Sequence, residues 1–244
     1  MLTKFSYRLV ILLSTAFVST TAVNANEILL VGTTADYPPL TYKVGSDYAG
    51  SDIKIVQDFA KSQNMDIKFI ATSWPMLSND LSNKKFVVAV GGISANPERS
   101  ASFYVSNAVS EAHKVAMIKC SDTKRFNSFA AIDNEEVTVV ENRGGTNQDF
   151  ALKNIKHAPI LLLSSNFAAL ETISGTQNTT TAHPYVMFTD NVEVDYRHQI
   201  NPSLCQANIP EKFPSSDKVF LFAQTPAGLK LRDAFNSWWK SQGH

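Results

Sequence analysis

Short apolar runs alternate with segments of helical period along this chain, and that alternation limits the fold more than any other feature. Ile28 to Val31 reads as a strand that stops at the turn-forming loop 32–39. Ser51 to Asn64 carries Ile53, Val56, Phe59 and Ala60 at helical spacing, with Ser51 as a natural N-cap. Ile67 to Ala71 reads as a strand, Trp74 to Leu81 as a short helix opened by Pro75, and Phe86 to Val90 as a third strand. A second series follows. Val115 to Ile118, Val137 to Val140, Ile160 to Leu163 and Tyr185 to Phe188 are strand-like, with helical stretches at 146–155 and 166–173. Val219 to Phe222 reads as a last strand. The closing helix sets Leu231, Phe235, Trp238 and Trp239 on one face, where core packing explains the tryptophans. Strands separated by helices build parallel sheets covered on both faces, and two such series predict two α/β lobes. Residues 174–184 read as a surface loop.

The N-terminus predicts the compartment. Lys4 and Arg8 precede an apolar run from Leu9 to Val18, and Val23-Asn24-Ala25 is a cleavage-type ending. That run is too short for a membrane span, which needs about 20 residues, so residues 1–25 read as a signal peptide. No later segment is long and apolar enough to span a bilayer, so no membrane insertion is expected after cleavage. Removing 1–25 takes two basic residues and no acidic one, which leaves 20 Lys and Arg against 22 Asp and Glu. Such a balance gives no reason to expect nucleic acid or an anionic membrane surface as partner. Cys120 and Cys205, an even pair in an exported chain, read first as a disulfide, with two buried thiols as the alternative.

In open α/β sheets ligands sit at the carboxyl ends of the strands. The residues there are Asp36 and Tyr37, Ser73 and Trp74, Ser94 to Arg99, Gly144 to Asn147, and Asp190 to Glu193. The planar fork of Arg99 suits a carboxylate, although taken alone it could be a surface arginine. Gly144-Gly145-Thr146-Asn147 offers backbone N–H groups at a helix start, a second feature favourable to an anion but weak by itself. Tyr37 and Trp74 could wall a pocket or pack in the core. No G-x-S-x-G elbow and no phosphate loop occurs, and the five histidines show no metal spacing. These absences argue against a serine hydrolase, an NTPase or a metalloenzyme.

Taken in order, Gly32-Thr33-Thr34-Ala35-Asp36-Tyr37, Thr72-Ser73-Trp74-Pro75, Gly92-Ile93-Ser94 with Glu98-Arg99, Gly144-Gly145-Thr146-Asn147, and Thr189-Asp190 with Glu193 resemble the periplasmic cyclohexadienyl dehydratases. These enzymes, on the amino-acid-binding-protein scaffold, convert prephenate to phenylpyruvate and arogenate to phenylalanine. The resemblance spans nearly the whole chain after residue 25, both cysteines included. It departs at the segment 174–184, at Val87 where an Asp is common, and at both ends, which lack a leading and a final helix.

The resemblance implies a two-lobed periplasmic-binding-protein fold of type II, with lobe 1 at 26–110 plus 220–244 and lobe 2 at 111–219. It implies that Arg99 holds a substrate carboxylate and that Tyr37 and Trp74 enclose the ring. Ser94, Thr146 and Asn147 would supply hydrogen bonds, Lys114 would stand beside the cleft, and Asp190 would meet the amino group of an amino-acid ligand. Glu193 would be the general acid. The reaction expels a ring hydroxyl with carbon dioxide, and a poor leaving group of this kind needs a proton donor. A carboxyl in a closed, dry cleft can supply it, and no cofactor or metal is required. Three readings stay open: a prephenate/arogenate dehydratase, a periplasmic amino-acid receptor of a transporter, and a member that folds without either activity. The expected partner is a small carboxylated molecule, and homo-oligomerisation is left open.

Overall fold

The computed structural model describes residues 26–175 and 183–244. The expected signal segment, and 176–182 of the expected loop, lie outside the described residues. In chain order the first lobe is built from β1 (Ile28–Thr33), the short strands β2 (Asp36–Tyr37), β3 (Thr41–Val44) and β4 (Asp47–Ala49), α1 (Ser51–Ser62), β5 (Asp66–Ala71), α2 (Leu77–Ser82), β6 (Val88–Ala89), α3 (Pro97–Ser102) and β7 (Tyr104–Val105). The chain then crosses to β8 (Ser110–Lys119), the 3-10 turn Cys120–Asp122, α4 (Phe129–Ile132), β9 (Thr138–Asn142), α5 (Thr146–Asn154), β10 (Ile160–Leu163), α6 (Asn166–Ser174), β11 (Tyr185–Asp190), α7 (Asn191–Ile200), β12 (Leu204–Gln206) and β13 (Ser215–Lys218). It returns through β14 (Leu221–Phe222) and ends in α8 (Pro226–Ser241).

Two main sheets result, in the order β5-β1-β6-β14-β7 and β10-β9-β11-β8-β12, with β13 also paired to β8. In the first, β1 lies parallel to β5 and β6, whereas β14 returns antiparallel to both β6 and β7. In the second, β9 lies parallel to β10 and β11, and β8 is antiparallel to β11. Each lobe has its own core. Val31, Phe59, Phe220 and Phe235 pack in the first, and Phe126, Val139, Phe188 and Ala151 in the second. On α8, Phe235 and Trp239 are buried and Trp238 packs beside them, with Phe235 edge-on and Trp238 tilted against Phe59, as the helical spacing predicted.

Several local expectations change. Ser51 is the first residue of α1, not its cap. Gly50 is the cap, and the free N–H groups of Ser51 and Asp52 donate to the carbonyls of Pro39 and Leu40 at 3.1 Å, so no side chain is needed there. The helix expected from Trp74 begins at Leu77, because residues 73–76 form a turn in which Ser73 O accepts from Met76 and Leu77. The expected strand 219–222 is shorter: β13 ends just before it at Lys218, and only Leu221–Phe222 pairs, as β14. The small sheet β2-β3-β4 was not expected, since its strands hold two to four residues among turn formers. Cys120 and Cys205 form a disulfide with Cα atoms 4.9 Å apart, tying the end of β8 to β12 across 85 residues of chain. No helix among the described residues is long and apolar enough to cross a membrane.

Candidate functional site

The carboxyl ends of the strands of both sheets meet at one cavity. Its wall holds Tyr37 and Trp74 from the loops after β1 and β5, and Gly92, Ser94 and Arg99 from the segment after β6. Asn142, Gly145, Thr146 and Asn147 follow β9, Asp190 ends β11, and Lys218 ends β13. Tyr37 meets Trp74 edge-on, with ring centroids 6.1 Å apart. The lobes touch closely here. Gly144, at φ 80°, lies so near the backbone of Pro75 that a Cβ would come within 2.5 Å of it. Gly92, at φ 72°, faces the Tyr37 ring equally closely.

Arg99 sits in the first turn of α3, where Asn96 caps the helix by accepting from Arg99 N at 2.8 Å. Its guanidinium is buried and donates to Ser94 O at 2.6 Å. Among the described residues no carboxylate pairs with it at ion-pair distance. Burial lowers its pKa, with the more distant Asp149 and Glu98 opposing.

Asp190 is the N-cap of α7 but makes no capping bond, because its carboxylate is engaged elsewhere. Lys114 Nζ donates to Oδ1 at 2.9 Å, while Lys218 Nζ and the Tyr37 hydroxyl both donate to Oδ2. Lys114 also donates to Asn147 Oδ1, and Lys218 to Ser94 Oγ at 2.7 Å. Burial raises the Asp190 pKa, but the two lysines outweigh it and hold the carboxyl at about 2. Burial lowers the Lys218 pKa, and Asp190 opposes that shift. Tyr37 is pushed well above the usual phenol range, by burial first and then by the charges of Asp190 and Glu193. Thus Asp190, expected to meet an amino group, already has both oxygens occupied by ammonium groups.

Glu193 lies three residues further on, in the first turn of α7, fully buried, and is not part of the cavity wall. Asn166 Nδ2 donates to its Oε1 at 2.6 Å and Thr189 Oγ1 to its Oε2 at 2.6 Å, and Arg197 pairs with it at 3.2 Å. Burial raises its pKa despite these three partners. One link joins this recess to the opposite lobe. Asn166, at the start of α6, donates from its side chain to Asp36 O at 3.0 Å and from its backbone to Asp36 Oδ2 at 3.2 Å, so one amide joins Glu193 to the opposite lobe. Asp36 in turn accepts from the Trp74 indole at 3.1 Å, and burial raises its pKa. Asp52, raised to about 6 by burial, accepts from Gly92 N at 2.8 Å and fixes that turn of the wall.

The structure therefore brings Tyr37, Trp74, Ser94, Arg99, Thr146, Asn147 and Asp190 to one wall, with Lys114 bonded to two of them. It adds Lys218 and Asn142 to that wall, and Asn166 behind it, bonded to Asp36 and Glu193. Lys218 follows a run of small polar residues and reads in sequence as a solvated strand end. The available signal was its place immediately before the apolar run 219–222. Among the described residues, Cys120, Cys205 and His198 come within ligand distance of one another, but the sulfurs are bonded together and offer no thiolate to a metal.

The family model of bacterial extracellular solute-binding proteins, family 3, matches residues 29–241. The chain belongs to this family. As a family 3 solute-binding protein it is 32% identical to the cyclohexadienyl dehydratase of Pseudomonas aeruginosa over 207 residues, which cover 84% of this chain and 75% of that one. It is also 31% identical over 71 residues, 29% of this chain, to the arginine-binding extracellular protein ArtP of Bacillus subtilis. The ancestral amino acid-binding protein AncCDT-1, a precursor of cyclohexadienyl dehydratase, shares its fold with a TM-score of 0.78 at 23% identity, covering 88% of this chain and 89% of that one. Holo ArgBP from T. maritima superposes at 0.76 with 18% identity, over 88% and 90% of the two chains. The family resemblance and the two-lobed fold read from the loops are thereby borne out.

Proposed function

We propose that this family 3 solute-binding protein is a dehydratase of cyclohexadienyl carboxylates, turning prephenate into phenylpyruvate and arogenate into phenylalanine. It would act in the periplasm after loss of residues 1–25, with lobe 1 at 26–110 plus 220–244 and lobe 2 at 111–219. The observation that carries the reading is Glu193: a fully buried carboxyl with a raised pKa, three residues from the cavity acid Asp190. A solute receptor has no need of an acid there, and the 32% identity to a cyclohexadienyl dehydratase supports the same assignment.

In this reading Arg99 anchors a substrate carboxylate, and Tyr37 and Trp74 enclose the ring. Ser94, Thr146 and Asn147 orient the ligand, and Lys114 holds Asn147 and Asp190 in place. Glu193 provides the proton for the departing ring hydroxyl. Thr189, next to Asp190 at the end of β11, donates to Glu193 and fixes the orientation of the buried acid. As the C–O bond breaks, the bond from the ring to its carboxylate breaks too. Its electron pair completes the aromatic ring, water and carbon dioxide leave, and Glu193 regains a proton from solvent. The residues supply anchoring, enclosure and one proton, and no step calls for a cofactor.

Glu193→Gln keeps the shape of the side chain and removes the proton. Turnover should fall roughly 100-fold or more while ligand binding persists, the scale for loss of a positioned acid. Arg99→Ala should weaken binding as well as rate. The assay pairs phenylpyruvate release with calorimetric binding. Unchanged turnover in Glu193→Gln removes Glu193 from the mechanism. A wild type that binds amino acids at micromolar concentration without dehydrating prephenate is a receptor.

A further inference from the structure

Glu193 shares its recess with an arginine. Arg197, one turn further along α7, brings Nη2 to 3.2 Å and Nε to 3.4 Å from Glu193 Oε1. Its side chain is 11% exposed and that of Glu193 0%, so the arginine is the outer member of the pair. Its guanidinium also lies over the Phe167 ring, 5.6 Å from the centroid. Among the described residues Arg197 is the one cation at ion-pair distance from Glu193. The other groups around the acid do not share that role. Asn166 from α6 and Thr189 from β11 are neutral donors. Glu141 from β9 and Tyr37 from β2 are raised by burial first, and the charge of Glu193 raises both further. From β8, Lys114 is held by Asp190 and Asn147, and from β13, Lys218 is held by Asp190. β12, packed on the same helix, carries no titrating group, its Cys205 being in the disulfide.

We propose that Arg197 is a positioning residue for the reaction, one that aims the Glu193 carboxyl and neutralises the carboxylate left there once the proton has gone to the departing hydroxyl. The inference rests on the general-acid role proposed for Glu193. Burial alone would make Glu193 a weak acid, because a carboxylate in a dry recess is strongly disfavoured. A weak acid keeps its proton but releases it slowly. A guanidinium within hydrogen-bond reach favours only the ionised form, so it speeds that release. It also lets the resting acid lose its proton at a lower pH. Burial and Arg197 therefore act against each other, and their balance sets the pH above which turnover fades. The pair is formed within one helix, at i and i+4, and needs no contact from lobe 1.

Carbon-13 NMR of protein labelled at the glutamate carboxyl carbon reads the ionisation of Glu193 without any ligand, and Glu193→Gln identifies its resonance. Arg197→Met should move the midpoint up by about one pH unit or more, the scale for loss of an opposite charge at this distance. Arg197→Lys, which keeps the charge, should return most of that shift. With prephenate, Arg197→Met should lower kcat about 10-fold or more and carry the alkaline limb of kcat upward with the midpoint. KM should change little, since Arg197 is not in the cavity wall. A role confined to packing over Phe167 would lower stability and leave the midpoint in place. An unmoved midpoint in a folded Arg197→Met variant overturns the proposal. So does a moved midpoint with wild-type kcat and an unmoved alkaline limb. If Arg197→Met fails to fold, Arg197→Gln carries the same expectations. A wild type that dehydrates neither prephenate nor arogenate sinks the general-acid reading, and the reaction part of this proposal with it. An unmoved midpoint in a protein that does turn over sinks this proposal alone.

Discussion

Asp190 and Glu193 stand on the same turn of α7, yet their surroundings drive them in opposite directions. Asp190 faces the cavity, where two lysines overcome its burial and hold it at about 2. Glu193 faces the interior, where one arginine, a threonine and an amide fail to offset burial, and its pKa rises. Neither the residue type nor the helix start distinguishes them, so the count of cations at hydrogen-bond distance does. Pairs of carboxyls pushed apart in this way mark a division of labour between a permanent anion and a proton donor. In this cleft the anion gathers two lysines at the wall, and the acid is kept back from water.

The largest effect that would test this contrast is on stability. Asp190→Asn leaves Lys114 and Lys218 buried without a counter-charge and should cost roughly 3–5 kcal/mol in urea unfolding. A loss below about 1 kcal/mol would mean the lysines relax into solvent and the cluster is not tight.

Titration sharpens the contrast next, because the two acids have opposite signs. The folded pKa of Asp190 is depressed from 3.8 to about 2. Its contribution, about 2 kcal/mol, is therefore present above its unfolded value and is lost as pH falls from about 4 toward 2. Glu193 is raised, so its contribution is complete below its unfolded value and is lost as pH rises through the folded pKa. Acid unfolding of the wild type should thus be steeper between pH 4 and 2 than that of Asp190→Asn. Glu193→Gln should flatten the dependence above pH 4.5 instead. Equal slopes in wild type and Asp190→Asn would break the electrostatic account of Asp190.

The smallest effect concerns the surroundings of Glu193. Thr189→Val keeps the shape of the strand end and removes the hydroxyl that donates to Glu193. Turnover should fall about 10-fold, the scale of one hydrogen bond to a charged group, with ligand affinity nearly unchanged. A Thr189→Val variant with wild-type kcat would show that this bond does not orient the acid.

Much of this protein was legible in one dimension. Apolar period set the strands and helices of both lobes, because the core faces of α1 and α8 must recur at helical spacing to bury Ile53, Phe59, Phe235 and Trp239. The strand-end rule found most of the wall, since loops after parallel strands converge wherever two sheets face one another. The two cysteines could be paired because no other partner exists in the chain. What tertiary structure decided were contacts between residues far apart in sequence. Lys218 lies on the return strand, more than a hundred residues from Ser94, and only the pairing of β13 with β8 brings it to Asp190. Asn166 reads as an ordinary helix start, and its bonds to Asp36 exist only once the lobes meet. Asp190 and Glu193 look alike as letters. Their charges are set by cations arriving from β8, β13 and the next turn of α7, because a pKa belongs to a place in space and not to a position in the chain.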